Sequence, residues 1–241
     1  MVSDKLVLVF GGSRGIGAAI VARLARDGHA VAFTYASSED KAKALAVSVA
    51  ASGGRALPIR ADSADPVQIR DAVAKAVEWS GPIDVVVVNA GIFTLGRVGE
   101  VELEDLDRML SVNVRGVYLS VQAAVPDLKD RGRVITIGSN VAIRTGMPGA
   151  SVYQMTKAAV AGMVKGIALD LAPRGITVNN IQPGPTDTDI NAGAIGMLAD
   201  RSPLKRVASP DEIAGLVSYV ARDEAGYVTG ASLTIDGGFT I

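Results

Sequence analysis

Five consecutive apolar residues, Leu6-Val7-Leu8-Val9-Phe10, run directly into a glycine-rich turn, Gly11-Gly12-Ser13-Arg14-Gly15-Ile16-Gly17. An unbroken apolar run is what a strand needs when both faces of its sheet are covered. The turn leads into a helical pattern over residues 16–27 that stops at Gly28, a common helix terminator. Strand, glycine turn and helix in this order restrict the chain to a layered α/β arrangement. At such a junction the helix N-terminus offers free N–H groups and a partial positive charge, and glycine lets the backbone approach an anion. Gly11, Gly15 and Gly17, with Ser13, Arg14 and Ile16 between them, therefore predict a site for a dinucleotide pyrophosphate.

The alternation continues along the chain. Further strands are expected at 30–35, 55–61, 83–88, 133–137, 177–181 and 232–235. Helices are expected at 40–52, 66–80, 103–114 (running on with a bend to 128), 151–171 and 210–220. This predicts α/β architecture: one Rossmann-type, doubly wound parallel sheet of about seven strands, helices on both faces, in a single domain spanning 1–241. Right-handed crossovers would gather the strand carboxyl ends along one edge, where such folds bind ligands. The chemically informative loops all follow strands: Tyr35-Ala36-Ser37-Ser38, Asp62-Ser63, Asn89-Ala90-Gly91, Ser139, and Pro183-Gly184 with Thr186 and Thr188.

Composition narrows the function. The 241 residues are 49% hydrophobic, and no stretch rich in Pro, Gly or Ser divides them. A net charge of -1 with scattered basic residues gives no footprint for nucleic acid. The absence of cysteine excludes disulfides and thiolate metal sites, and a single histidine, His29, excludes a multi-histidine metal site. No metal is expected. No apolar stretch reaches the roughly 20 residues of a membrane helix. The segment 1–5 is short and polar, unlike a secretory signal, so the expected location is the cytoplasm.

Tyr153 and Lys157 lie four residues apart on a predicted helix, one turn from each other on the same face. A positive charge beside a phenol favours the phenolate and is expected to lower its pKa. A tuned proton donor beside a dinucleotide site suggests hydride transfer to or from a carbonyl. The end of the second strand bears on the cofactor. An acidic residue there would bind ribose hydroxyls and repel a 2′-phosphate. This chain has Tyr35-Ala36-Ser37-Ser38, with Glu39 one position later, and Arg14 in the turn. Two hydroxyls and an arginine favour NADP (NADPH) over NAD. The alternative is that Arg14 points to solvent and the serines only cap the next helix.

Across essentially its whole length the chain resembles the short-chain dehydrogenase/reductase family, of the 3-oxoacyl-(acyl carrier protein) reductase kind. The resemblance rests on Gly-Gly-Ser-Arg-Gly-Ile-Gly at 11–17, Asn-Ala-Gly at 89–91, Asn113, Ser139, Tyr153-x-x-x-Lys157 and Pro183-Gly184. It implies that Tyr153 is the general acid, that Ser139 holds the carbonyl oxygen, and that Lys157 binds the nicotinamide ribose. It further implies that Asn113 holds a relay water, that Asp62 with Ser63 meets the adenine, and that Asn89, Ala90 and Gly91 line the ribose and pyrophosphate. Thr186 and Thr188 would meet the carboxamide and phosphates. Two positions depart from the family. Phe10 stands where a threonine usually ties the turn to Asn-Ala-Gly, so part of that support is expected to be missing, and Val88 replaces a second asparagine. The stretch 182–189 and the tail 226–238 resemble a bacterial branch that includes a cyclic-di-GMP-binding mediator of biofilm dispersal. A nucleotide-binding regulatory role therefore stands as the alternative to a carbonyl reductase.

By the same resemblance a substrate lid is expected at about 189–206, carrying Ile190, Ala194, Ile195, Met197 and Leu198. With Ile92, Phe93, Ile143, Met147 and Val152 it suggests a mostly apolar pocket for a small or medium ketone or β-ketoester. Lys129, Arg131 and Arg133 are candidates for a carrier-protein docking patch, against the alternative of a solvated charge cluster. Apolar and small residues in excess on 103–128 and 151–171 match the family's subunit contacts and imply a homotetramer.

Overall fold

The computed structural model describes residues 5–241; residues 1–4 of the polar leading segment lie outside the described residues. Seven strands form one sheet: β1 (Leu6–Phe10), β2 (Ala30–Tyr35), β3 (Arg55–Arg60), β4 (Ile83–Val88), β5 (Leu128–Ile137), β6 (Thr177–Pro183) and β7 (Ser232–Ile235). Their order is β3-β2-β1-β4-β5-β6-β7, and every neighbouring pair is parallel. The chain winds outward from β1 in one direction, returns, and winds outward in the other. The crevice left between β1 and β4 is the switch point at which such sheets receive ligands.

The helices are α1 (Gly15–Arg26), α2 (Glu39–Ala51), α3 (Pro66–Ser80), α4 (Leu103–Leu110), α5 (Gly116–Ala124), α6 (Ser151–Leu171), α7 (Ile195–Arg201) and α8 (Pro210–Ala221). The two-residue period of β1 divides the core. Leu6, Leu8 and Phe10 pack with Ile69 and Val73 of α3, Val117 and Val121 of α5, and Val160 and Val164 of α6. Val7 and Val9 pack with Ile20, Val21 and Leu24 of α1 and with Ile213 and Val217 of α8. All five β1 side chains are fully buried, each worth about 1.5–3 kcal/mol. The most legible helix starts carry explicit caps. Asp65 accepts from the N–H groups of Val67 and Gln68 ahead of Pro66, and Ser209 and Glu212 form a reciprocal capping box on α8. Pro58 interrupts β3, which is an edge strand and loses no ladder bond by it.

Two expectations differ from the structure. The helix expected to run from 103 to 128 is divided into α4, a π turn (Ser111–Arg115), α5 and a short 3-10 turn (Val125–Asp127). The π turn is closed by the Gly116 N–H reaching back to the Ser111 carbonyl. A π turn inserts one residue into a helix without disturbing the apolar pattern on either side, so periodicity does not reveal it. β5 begins at Leu128, five residues before the expected Arg133. Lys129, Asp130 and Arg131 are exposed and read as a loop, yet the backbone already pairs Leu128 with Ile83 across an irregular register.

That early start also favours a charge cluster over a carrier-protein docking patch, the two alternatives for Lys129, Arg131 and Arg133. Lys129, Arg131 and Arg133 occupy the amino end of β5, whereas Ser139 lies just past its carboxyl end. Lys129 pairs with Asp84 at 2.9 Å, and the buried Arg133 donates to main-chain oxygens of Gly132 and Arg222. The cluster braces the edge of the sheet opposite the cleft. No helix among the described residues is long and apolar enough to cross a membrane.

Candidate active site

The glycine turn is held by main-chain contacts. Gly11 adopts a left-handed φ of 81°, and its N–H donates to Thr34 Oγ1 at 2.9 Å. At Gly17 a Cβ would lie 2.0 Å from the Gly11 carbonyl oxygen, so only glycine lets α1 start so close to β1. Phe10 does not leave the turn loose. Its carbonyl accepts from the N–H groups of Asn89 (3.0 Å) and Ala90 (2.8 Å), and Asn89 Nδ2 donates to the Gly11 carbonyl at 2.6 Å. The expected loss of support is therefore corrected: the backbone makes the tie, and the Phe10 side chain serves the core. α1 has no side-chain cap. Its first N–H groups remain for a ligand, which with the glycine cradle fits a pyrophosphate.

From this turn a groove of about 340 Å³ runs over β2 and β3. Ser13, Arg14, Gly15, Ile16, Tyr35, Ala36, Ser37, Ser38, Asp62, Ser63, Asn89, Ala90 and Gly91 all line it. Gly17 does not; it is packed behind the wall. The Asp62 carboxylate accepts from Ala64 N–H and from Arg108 Nη2, both at 2.9 Å. Burial would raise its pKa, but these two partners outweigh burial and hold it below the usual carboxylate value. Ser38 occupies the N-cap position of α2 without a side-chain cap bond, so capping does not account for that serine. Arg14 is half exposed and faces Asp189 at 3.7 Å, and Lys41 reaches the same carboxylate at 3.1 Å. Lys41 and Arg14 hold the Asp189 carboxyl below its ordinary range. Nothing in the local sequence marks Lys41, Arg108 or Asp189. They meet only because α2, α4 and the segment after β6 converge on one rim.

The groove continues into a second chamber of about 220 Å³, and the two share Ile16, Asn89, Gly91, Ile92, Thr188 and Ile190. Ser139, Tyr153, Lys157, Pro183, Gly184, Thr186 and Thr188 line this chamber. Ser139 follows β5, and Tyr153 and Lys157 share one face of α6. Ser139 lies near enough to the Tyr153 hydroxyl to favour its charged form, and the tyrosine ring is held edge-on by Phe93, with centroids 4.8 Å apart at 81°. Lys157 Nζ donates to the Ile137 carbonyl at 3.0 Å and lies 5.6 Å from the centre of the Tyr153 ring.

The expected lowering of the phenol is reversed. Burial pushes Tyr153 up to about 12, partly offset by the Ser139 hydrogen bond, and burial pushes Lys157 down to about 8. The ammonium spends its hydrogen bond on a carbonyl, and desolvation penalises the charged form of both groups.

Asn113 lies in the π turn, fully buried and behind the chamber wall. Its Oδ1 accepts from Ile92 N–H (2.8 Å), and its Nδ2 donates to the Ile92 carbonyl (2.9 Å) and to Thr156 Oγ1 (3.2 Å). Both amide protons are thus committed, and Ile92 is clamped at the chamber entrance. The point a Gly91 Cβ would occupy is 3.4 Å from Asn113 Oδ1 and 3.5 Å from Lys157 Nζ, so a side chain there would stand between them.

Of the apolar pocket residues expected, Ile92, Phe93, Met147, Ile190 and Leu198 line the chamber; Ile143, Val152, Ala194, Ile195 and Met197 do not, and Ile143 and Met197 are exposed. The segment 143–149 and α7 turn Ile143 and Met197 outward and bring in two residues the sequence did not single out, Arg144 and Arg201.

A parallel sheet wound in this order, with a glycine turn and a Ser-Tyr-Lys cluster on its carboxyl edge, defines a Rossmann-type dinucleotide fold. A sequence profile described as enoyl-(acyl carrier protein) reductase matches residues 11–240. The cyclic-di-GMP-binding biofilm dispersal mediator protein of Escherichia coli is 44% identical over 98% of both chains. A short-chain dehydrogenase/reductase from Serratia marcescens superposes with a TM-score of 0.96 at 53% identity, over 98% of both chains. A short chain dehydrogenase from Burkholderia cenocepacia in complex with NADP superposes with a TM-score of 0.95 at 45% identity, over 99% of this chain and 98% of that one. The chain belongs to the short-chain dehydrogenase/reductase family.

Proposed function

We propose that this chain is an NADPH-dependent oxidoreductase that reversibly reduces a ketone or β-ketoester to a secondary alcohol. The observation that carries this reading is the gathering of Ser139, Tyr153 and Lys157 on the wall of a chamber continuous with the glycine-turn groove. The reduced nicotinamide of a bound cofactor supplies hydride. Gly11, Gly15 and the uncapped start of α1 would hold its pyrophosphate, Asp62 and Ser63 its adenine, and Lys157 its nicotinamide ribose. Arg14, Ser37 and Ser38 would hold a 2′-phosphate, a preference supported by the NADP complex of the Burkholderia relative.

The chain's own groups manage the proton. Burial keeps the Tyr153 phenol neutral at physiological pH, so it carries the proton that reduction requires. Ser139 Oγ accepts from the Val141 N–H at 3.3 Å, and together with the Tyr153 phenol it would receive one carbonyl oxygen. The alkoxide formed as hydride arrives is a stronger base than phenolate, so transfer from Tyr153 runs downhill. Lys157 would pass a replacement proton inward through a water held by Asn113, on the other side of the Gly91 space.

Residues 189–206, including α7, would form the lid of a single catalytic domain. Exposed Leu103, Tyr118, Met155 and Leu169 on α4, α5 and α6 support a homotetramer. A cytoplasmic location accords with these roles. A second reading, a cyclic-di-GMP-binding regulator, is favoured by the name of the Escherichia coli relative; a complete Ser-Tyr-Lys set favours catalysis, because ligand binding alone has no use for it.

The test is loss of NADPH absorbance against a panel of ketones and β-ketoesters. Turnover is expected with NADPH and should fall by about 10²–10⁴-fold in Tyr153→Phe, with cofactor binding nearly intact. A clear preference for NADH would refute the cofactor assignment, and full activity in Tyr153→Phe would refute the acid.

A further inference from the structure

The substrate chamber is electrically one-sided. Among the described residues its wall holds three cationic side chains, Arg144, Lys157 and Arg201, and no Asp or Glu. Lys157 sits deep and is committed to the Ile137 carbonyl. The two arginines are at the outer end and come from different elements: Arg144 from the segment after β5, Arg201 from the last residue of α7. Both touch the segment 239–241. Arg201 Nη2 donates to the Gly146 carbonyl at 3.0 Å, and its guanidinium lies over the Phe239 ring, 5.5 Å from the centroid. Arg144 Nη1 donates to the Ile241 carbonyl at 3.3 Å. Both also line an adjoining recess of about 290 Å³.

Each guanidinium is thus fixed by one main-chain contact. Among the described residues no Asp or Glu side chain pairs with either. This contrasts with Arg23, Arg108, Arg174 and Arg206, each matched to a carboxylate. A guanidinium presents five N–H donors in a planar fork suited to carboxylate or phosphate. Most of that capacity is unspent here, and it faces a chamber whose other lining side chains, Lys157 aside, are apolar or neutral.

We infer that Arg144 and Arg201 form an anion-recognition site, and that the carbonyl substrate carries a compact oxyanion, carboxylate or phosphate, on the side of its carbonyl remote from Tyr153. The inference rests on the reductase reading and narrows its substrate from neutral ketones to ketones bearing an acid. Because Arg201 ends α7, binding the anion also draws on the segment assigned as the lid.

The test compares acids with their neutral counterparts. Acetoacetate and 4-oxopentanoate are assayed against their ethyl esters, and dihydroxyacetone phosphate against dihydroxyacetone, with NADPH, for the parent protein and for Arg144→Gln, Arg201→Gln and the double variant. Charge-assisted hydrogen bonds of this kind support a preference for the charged member of about tenfold to a hundredfold in kcat/KM, carried mainly by KM and weakened by salt. The double variant should bring the ratio close to one. Whichever pair shows the preference identifies carboxylate or phosphate as the group. A ratio near one in the parent, or a ratio unchanged in the double variant, would overturn the inference while leaving the reductase reading in place; a purely structural role for the arginines would lower both members alike. If nothing is turned over, the reductase reading fails, and calorimetric titration with acetoacetate and with dihydroxyacetone phosphate decides the site. Binding lost in the double variant keeps an anion site there, and no binding ends it. Cyclic-di-GMP as the sole ligand dependent on both arginines would overturn the substrate assignment.

Discussion

Replacing Lys157 by methionine should change the pH dependence of stability in a defined direction. The lysine is 5% exposed, and burial depresses its pKa to about 8 from a reference value of 10.5. The unfolded chain therefore holds this proton more tightly than the folded one. The stability linked to the group is fully present above pH 10.5 and is lost as pH falls through about 8. At 1.36 kcal/mol per pKa unit, the gap corresponds to about 3 kcal/mol, of which about 2–3 kcal/mol develops between pH 7 and pH 10. Methionine fills similar space and does not titrate. The assay is urea unfolding of cofactor-free protein at fixed concentration, parent and Lys157→Met, at pH 7 and pH 10. The stability of the parent relative to the variant should rise by about 2–3 kcal/mol over that interval. Contributions from other groups cancel in the difference, so a constant offset between the two proteins would show that the ammonium is not held desolvated, and the account of Tyr153 as a neutral donor would lose its companion.

Three further outcomes follow from particular contacts. Asp189 ties up Arg14 and Lys41, so Asp189→Asn should tighten NADPH binding by about two- to fivefold, the range open to exposed ion pairs, with little change for NADH; equal effects on the two cofactors, measured by fluorescence titration, would contradict a 2′-phosphate site at that rim. Gly17→Ala should weaken NADPH binding by at least about tenfold, because the new Cβ would meet the Gly11 carbonyl at 2.0 Å, whereas helix propensity alone would favour alanine by about 1 kcal/mol; a more stable variant with unaltered affinity would refute the close approach. Light scattering on the eluting protein should give the mass of four 24.7 kDa chains, and a monomeric mass would overturn the assignment of the exposed faces of α4, α5 and α6 to subunit contacts.

The sequence by itself determined the features that depend on near neighbours along the chain. Continuous apolar runs marked β1 and β4, the glycine spacing marked the turn before α1, and the four-residue interval placed Tyr153 and Lys157 on one face. These are periodicities and caps, and they act within a few residues. Tertiary structure alone decided what depends on the closeness of distant segments. The π turn that carries Asn113 leaves no trace in the apolar pattern. The early start of β5 is set by pairing with β4. The protonation of Tyr153 and Lys157 is governed by the water excluded when Phe93, Ile137 and Ser139 close around them, and burial there reverses the sign that a lysine beside a tyrosine suggests. Arg144 and Arg201 stand fifty-seven positions apart in the chain, and only the folding of the segment after β6 over the carboxyl edge of the sheet brings both to one chamber with no Asp or Glu among its described lining residues.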